Sequence, residues 1–562
     1  MLSSKPHRFV RVVVAALLTS AALSGATQAR DFFQPGFDEP NRDARDHDGY
    51  GYDNDPVVFS FATMGDSRTE TASPDPTTLL EPGTLGTASN GATLGTASGA
   101  GQQSLTGTLL PQDSTFLTNT KALARILRGV QREKPSLLFF NGDMVYGYGR
   151  PTLPSAWANG QLNSATTPAA SLAPDALFEY RQYAYWRGIV APLFETGTYV
   201  VPVPGNHETQ CNQTSLPYSS SNPNPNCATG KHSYADNENA FRDNMGDLIE
   251  DIYTNERFQA VSGVSAIVAN GFPSLGAAPA SSTNNGPIST DQTELSYSFD
   301  VVLKETHQLL HFVVIDTDPT GSDATAPSDW LAADLASAKT RASANKLTPK
   351  YFVFGHKPAF TYGYDIPAVA GTQGPAYAPN GLDAVTTSGA KQTYNYTKTA
   401  SSLTTDGVTI QNTQQMLLDT KPQTKQTLTY YPLVNMFWAV IAHYNATYFS
   451  GHEHIVHVEQ FADITGASKN TPYQVIVGAG GSPFDASLVG TCASSCAEPV
   501  PFTNWQDRYY GWATVQVHRS GNVTLEVRGF SDGAQYNASS GAISKVGVET
   551  PSRVLYSVSH LQ

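Results

Sequence analysis

The chain has 562 residues, 40% of them hydrophobic, and a formal net charge of −14. That length and apolar content suffice for a large packed core, and the acidic balance argues against a nucleic-acid-binding module, whose footprint is a basic stripe. A phosphate site in such a chain must draw its positive charge from bound metals rather than from the overall field.

Lys5, Arg8 and Arg11 precede an apolar run from Val12 to Leu23 and a small-residue exit at Thr27-Gln28-Ala29. This is the pattern of a secretory signal peptide over residues 1–29, with cleavage after Ala29 or Ala26. The apolar run is too short to span a bilayer core, which needs about 20 residues, and no later stretch is apolar enough. The mature protein is therefore expected to be soluble, secreted or periplasmic, with no membrane span after signal cleavage. Losing three positive charges leaves it more acidic still. Cys211 with Cys227, and Cys492 with Cys496, fit two loop disulfides in an exported protein, although four cysteines allow three pairings. Neither pair has the two-residue spacing usual in a cysteine zinc site.

Residues 30–55 read as a polar lead-in segment. Val57 to Met64 is a buried-strand pattern stopped by Gly65. Residues 72–112 hold a Gly/Thr/Ser-rich near-repeat, Thr84 to Ser89 and Thr93 to Ser98, read as a surface insertion. A helix follows from Phe116 to Arg132, with Leu123, Ile126, Leu127 and Val130 on one face. Leu137 to Phe140 is the next strand, Ala176 to Leu193 a helix, and Tyr199 to Val203 a strand weakened by its proline. A second insertion occupies 209–232. Leu309 to Ile315 is a strand, Asp329 to Arg341 a helix capped by Ser328, and Tyr351 to Phe354 a strand. A third, Tyr- and Thr-rich insertion runs over 363–430. Leu433 to Tyr444 then has one apolar helical face, and Ala446 to Ser450 is a strand. Tyr473 to Val477, Trp512 to His518 and Val523 to Arg528 read as consecutive strands, and residues 531–562 as a C-terminal extension. Strands separated by helices imply parallel crossovers, and the strand-rich end implies antiparallel additions. The reading is α/β: one layered domain of mixed sheets over 56–530, with long loop insertions.

Five of these strands end in glycine followed at once by Asp, Asn or His: Gly65-Asp66, Gly142-Asp143, Gly205-Asn206, Gly355-His356 and Gly451-His452-Glu453-His454. Ligand sites in open α/β sheets form just beyond the carboxyl ends of strands, where glycine permits a sharp turn and close backbone approach. Together these ends offer three imidazoles, two carboxylates and one amide to a single crevice. Mixed nitrogen and oxygen donors suit transition metals (Fe, Zn or Mn) better than calcium or magnesium.

The same ordered set resembles the calcineurin-like metallophosphoesterase superfamily. With Tyr146 three residues after Asp143, it most resembles the purple acid phosphatase branch, over most of residues 56–530 outside the insertions. The resemblance implies an α/β/β/α sandwich holding two divalent or trivalent metal ions. It implies that Asp143 bridges them, that Asp66, Tyr146 and His454 complete one metal's ligands, and that Asn206, His356 and His452 complete the other's. His207 would sit beside the scissile phosphate of a small-molecule ester, and a metal-bound hydroxide would attack phosphorus in line. Arg68 departs from the pattern, standing where many superfamily members have histidine and purple acid phosphatases glycine. Arginine is no metal ligand at working pH, which makes Tyr146 the natural substitute.

Some roles stay open at this level. Arg68 reads equally as a substrate phosphate contact and as a surface salt bridge, and Tyr146 as a ligand or a packing residue. Glu208 and Glu453 read as supporting or solvated carboxylates. His311, His443, His457 and His518 read as satisfied structural residues, and His232 as an outside candidate for the pocket rim. The function expected is an acid-phosphatase-like hydrolysis of phosphomonoesters. A phosphodiesterase or nucleotidase with the same metal core is the first rival, and a non-enzymatic surface protein of the same fold the second. A Ser-His-Asp hydrolase is disfavoured, because no G-x-S-x-G elbow follows a strand.

Overall fold

Strands rich in Val, Phe and Tyr alternate with helices along the chain, and their hydrogen bonding sorts them into two mixed sheets. The computed structural model describes residues 55–68, 118–147, 168–209, 234–267, 295–317, 326–359, 401–412, 432–461, 463, 467–482, 509–531, 535–536, 543–545 and 550–562. The signal segment, the lead-in up to residue 54, the insertion at 72–112, all four cysteines and His232 lie outside the described residues.

In the first sheet β1 (Val57–Met64), β2 (Leu137–Asn141) and β3 (Tyr199–Val203) run parallel. Two helices fall between these strands in the chain, α1 (Thr120–Glu133) and α2 (Pro168–Glu195). Pro202 is tolerated because β3 is the edge strand. Two further helices, α3 (Tyr234–Thr254) and α4 (Glu256–Ser262), precede the second sheet in the chain.

The second sheet begins with β4 (Ala266–Ile267) and β5 (Tyr297–Leu303), both antiparallel, and continues to β6 (Gln308–Val314). Helix α5 (Ser328–Ala344) leads to β7 (Thr348–Phe354), parallel to β6. The third insertion contains a hairpin, β8 (Ser401–Thr405) and β9 (Val408–Asn412). Its Asp406-Gly407 turn has positive φ at both residues, the geometry that favours Asp-Gly. Thr405 donates to Ala332 O of α5, and Ile410 is buried, so this part of the insertion is docked on the helix layer.

Helix α6 (Pro432–Tyr444) then feeds β10 (Thr447–Ser450), parallel to β7. Next come β11 (Val456–Gln460), antiparallel at the edge, and β12 (Tyr473–Val477), parallel to β10. The chain returns to the first sheet through β13 (Tyr510–His518) and β14 (Val523–Phe530), antiparallel beside β1. After the small pair β15 (Gln535–Tyr536) and β16 (Ile543–Lys545), β17 (Arg553–Val558) closes that sheet's other edge.

The two sheets pack face to face through an aromatic core. Phe139 stacks on Phe354 at 3.7 Å between ring centroids, and Phe61 meets Phe352 edge-on at 4.9 Å. Period two does the sorting. Leu310, Phe312 and Val314 face the inter-sheet core, whereas Val313 and Ile315 join Leu331, Leu335 and Ile441 under α5 and α6. On the first sheet's outer side, α1 lies so close to Trp512 that a Cβ on Gly129 would come within 2.5 Å of its ring. The result is the expected layered α/β architecture with mixed sheets. Among the described residues, no helix is long and apolar enough to cross a membrane.

Two expectations need correcting, and one strand escaped the sequence reading. Ser328 does not cap α5 from outside: it is the first helical residue, and its hydroxyl donates to Ala326 O. The stretch after residue 530 is not merely an extension, because β17 pairs along β14 and Leu561 is buried in the core. Strand β5 was hidden by Asp300, a charge in an otherwise apolar run. That charge is paired: Asp300 accepts from His311 Nδ1 at 2.6 Å and from Arg341 Nε at 2.8 Å, while His311 Nε2 lies 3.0 Å from Asp334 Oδ2.

Burial alone would push the His311 imidazole down, but the Asp334 and Asp300 carboxylates on either side hold it up, at about 9. A raised histidine pKa contributes stability that is complete below the unfolded value of about 6.5 and lost as pH rises through the folded value. Urea midpoints measured from pH 6 to 10 should therefore decline more steeply in the wild type than in a His311→Gln variant. Equal slopes would contradict this pairing.

Candidate metal centre

The parallel strands of both sheets end on the same side, and the loops beyond them are stitched together. The Asp66 and Ser67 N–H groups donate to Gly142 O and Asp143 O at 3.0 and 3.1 Å, tying the β1 and β2 ends. The Gly451 N–H donates to His356 O at 2.9 Å, tying the β10 and β7 ends. Between the sheets, the His452 N–H reaches both Asp66 oxygens at 3.1 and 3.0 Å. Asp66, Asp143 and His452 hold left-handed backbone, with φ of 60, 54 and 67°, uncommon for residues with a Cβ and frequent at functional turns. Glycines leave the room. A Cβ on Gly451 would lie 2.2 Å from Asp66 Oδ2, and one on Gly205 would lie 2.6 Å from Asp143 Oδ1.

Within this frame Asp66, Asp143 and His356 are fully buried, and their ligand atoms lie within 4.8 Å of one another, a group able to hold a metal ion. The hydrogen bonds around His356 test that fit. Its Nδ1 is 2.7 Å from Asn141 O. A carbonyl can only accept, so Nδ1 carries the proton and Nε2 of the neutral ring presents a lone pair. That lone pair faces Asn206 Oδ1 at 2.8 Å, Asp143 Oδ1 at 3.2 Å and His452 Nδ1 at 3.2 Å. Asn206 Oδ1 is also 3.0 Å from His452 Nδ1. A cation at this point would be met by two imidazole nitrogens, a carboxylate oxygen and an amide oxygen at once. An imidazole oriented by a backbone carbonyl through its far nitrogen is also the usual support of a metal-bound histidine. The donor set fits a transition metal.

The other candidates gather around these. His454 Nε2 is 3.6 Å from Asp66 Oδ1. Arg68 does not make a surface salt bridge: it is buried, with Nε 3.0 Å from Asp143 Oδ2. His207 Nε2 is 3.7 Å from the same oxygen, while its Nδ1 hydrogen-bonds Tyr146 O. The Tyr146 N–H donates to Gln182 Oε1 at 2.7 Å, and its ring meets the His207 ring edge-on at 5.5 Å.

Electrostatics follow from burial and proximity. Burial would raise the Asp143 carboxyl, but His207, His356 and Arg68 around it hold it well below the usual carboxylate range. His207 is pushed down by burial and then by Arg68, and His452 by burial and then by His356 and Lys357. Both rings are therefore kept neutral, the form that ligates metal or accepts a proton. Burial, and then the Asp143 charge, push Glu208 up to about 8, against the backbone N–H groups of Asp143, Val145 and Gly205, which favour its ionised form.

Sequence reasoning undervalued two residues here. Asn141 orients His356 through its carbonyl, which no side-chain pattern reveals. Glu208 is buried at the third position of the turn Asn206–Thr209 and reaches back to the Gly205 N–H at 2.8 Å. A Glu three residues after the residue that opens a helical turn is a readable capping signal. His443 and His457 lie 3.8 and 3.6 Å from the Asp406 and Glu459 carboxylates, and His518 is hydrogen-bonded to Asp55 O and Thr524.

No protein-family model matches the sequence, and no curated protein matches it. Among solved structures the chain is similar to a dimetal phosphatase from Danio rerio, at 9% identity and a TM-score of 0.31, over 84% of this chain and 96% of that chain.

Closeness of backbone to ligand is the feature most easily tested. Gly451→Ala places a methyl against Asp66 Oδ2 and Asn141 O, and bound metal, measured by elemental analysis after gel filtration, should fall well below the wild-type ratio. Wild-type metal content in a folded variant would show that the Asp66 position is not part of the centre.

Proposed function

We propose that this chain is an exported, metal-dependent phosphoric ester hydrolase of the calcineurin-like metallophosphoesterase type, nearest to the purple acid phosphatases, acting on phosphomonoesters. The observation that carries the proposal is the convergence of Asn206 Oδ1, Asp143 Oδ1 and His452 Nδ1 within 3.2 Å of the buried His356 Nε2. Around it stands the full ordered set of strand-end donors. Export rests on the signal pattern in residues 1–29.

In this reading Asn206, His356 and His452 would hold one metal ion, Asp66, His454 and Tyr146 would hold the other, and Asp143 would serve both. A bound metal pair (Fe, Zn or Mn) supplies Lewis acidity and lowers the pKa of a nucleophilic water. The protein's own groups do the rest. Arg68 brings a fixed positive charge to Asp143, where a phosphate oxygen needs compensation. His207 engages Tyr146 O through Nδ1, which leaves Nε2 to carry a proton toward the leaving oxygen. Because burial depresses that imidazole, Nε2 is protonated only on the acid side. A donor role for it therefore confines fast turnover to acid pH. The sheet-to-sheet packing beneath holds these groups in place without substrate.

Hydrolysis of p-nitrophenyl phosphate and bis-p-nitrophenyl phosphate, assayed side by side with metal analysis, tests the reading. Monoester hydrolysis should dominate and be lost on chelation, and His207→Ala should lower its rate by roughly 10²–10⁴-fold. Tyr146→Phe should abolish any visible tyrosinate-to-iron band. Activity on the diester alone would replace this reading with the phosphodiesterase one. Absence of transition metal, together with no hydrolysis after metal addition, would favour a non-enzymatic protein of the same fold.

A further inference from the structure

One fully buried carboxylate beside the centre takes no part in the reaction just described. Glu208 Oε1 accepts the N–H groups of Met144 and Val145 at 2.9 and 3.2 Å, and Oε2 accepts those of Asp143 and Gly205 at 2.9 and 2.8 Å. Four backbone donors from the ends of two different strands thus converge on one side chain. The turn that supplies three of them begins with two left-handed residues, Gly142 at φ 78° and Asp143 at φ 54°. Such a turn can aim successive N–H groups into a concavity that favours an anion. In many proteins the anion would be a ligand; here the chain supplies its own.

The consequence lies in what the clamp fixes. Holding the Asp143 N–H and the two after it sets the backbone from which the Asp143 carboxylate projects. Holding the Gly205 N–H at the same time ties in the turn that carries Asn206 and His207. Little slack remains, since a Cβ on Gly205 would already lie 2.5 Å from Asp143 N and 2.8 Å from Glu208 Oε2. Both Glu208 oxygens accept two N–H bonds, so the side chain's acceptor capacity is spent on backbone donors rather than on a metal. We propose that Glu208 is a positioning residue that locks the β2 and β3 ends into one unit, so that Asp143 and Asn206 keep a fixed separation across the centre. This rests on the metal-centre reading above.

Cobalt(II) is the probe, because its visible d–d bands report ligand geometry in whatever fraction of a variant is folded. Glu208→Gln turns an N–H donor toward backbone donors, and Glu208→Asp keeps the carboxyl group but falls short of them. Both should bind cobalt about 10–100-fold more weakly than wild type, the range for loss of a group that orients a ligand, and with shifted d–d bands. Wild-type affinity and spectrum in either folded variant would overturn the proposal and leave the metal centre standing. Failure of both variants to fold would assign Glu208 to general stability and overturn it too. A wild-type protein that binds no cobalt and no other transition metal would remove the centre itself, and this inference with it.

Discussion

A carboxylate buried without water is costly, by several kcal/mol even after relaxation, unless charge and hydrogen bonds compensate it. This protein buries Asp66, Asp143 and Glu208 within one junction between two sheets. The compensation for each differs. Glu208 is satisfied by four backbone N–H groups. Asp66 takes the His452 N–H on both oxygens. Asp143 has Arg68 on Oδ2, while Oδ1 accepts the His207 N–H and faces the His356 lone pair. That last contact brings a carboxylate oxygen and an imidazole nitrogen together beside Asn206 and His452, a donor set able to hold a cation.

The fold serves that junction. Parallel β1, β2 and β3 in one sheet, and β7 and β10 in the other, deliver all their carboxyl ends to the same rim. The Phe61, Phe139, Phe312 and Phe354 core holds the sheets together beneath it. Strained backbone at Asp66, Asp143 and His452 persists because the hydrogen bonds between loops over-determine it. The strand ends can then present side chains at hydrogen-bonding separations before any ligand arrives, which is the preorganisation that electrostatic catalysis requires.

Much of this was legible in the residues. Strand β12 matches its apolar run end to end, and Leu123, Ile126, Leu127 and Val130 of α1 are all buried as their spacing implied. The glycine-then-donor pattern singled out Asp66, Asp143, Asn206, His356 and His452, which the strand ends bring to one rim, where close packing of backbone against side chains demands glycine. What stayed hidden has physical reasons. Asp300 masked β5, since a charge paired by His311 and Arg341 looks like a break in an apolar strand. β17 carries only exposed and half-buried side chains at a sheet edge, so no period-two contrast marked it. Arg68 could be read two ways because sequence does not reveal burial, and burial beside Asp143 removes the solvent-exposed option. The Asn141 carbonyl belongs to the backbone, and side-chain patterns are silent about it.

The account stands or falls on whether a cation occupies the space that His356 Nε2 faces. Anomalous diffraction at the manganese or zinc edge, from crystals equilibrated with that metal, answers this directly. The account expects a strong peak in contact with Asp143, Asn206, His356 and His452, and a second peak on the Asp66 and His454 side. A metal-equilibrated crystal with no peak there, and with His356 doubly protonated and donating to Asn206, would contradict it.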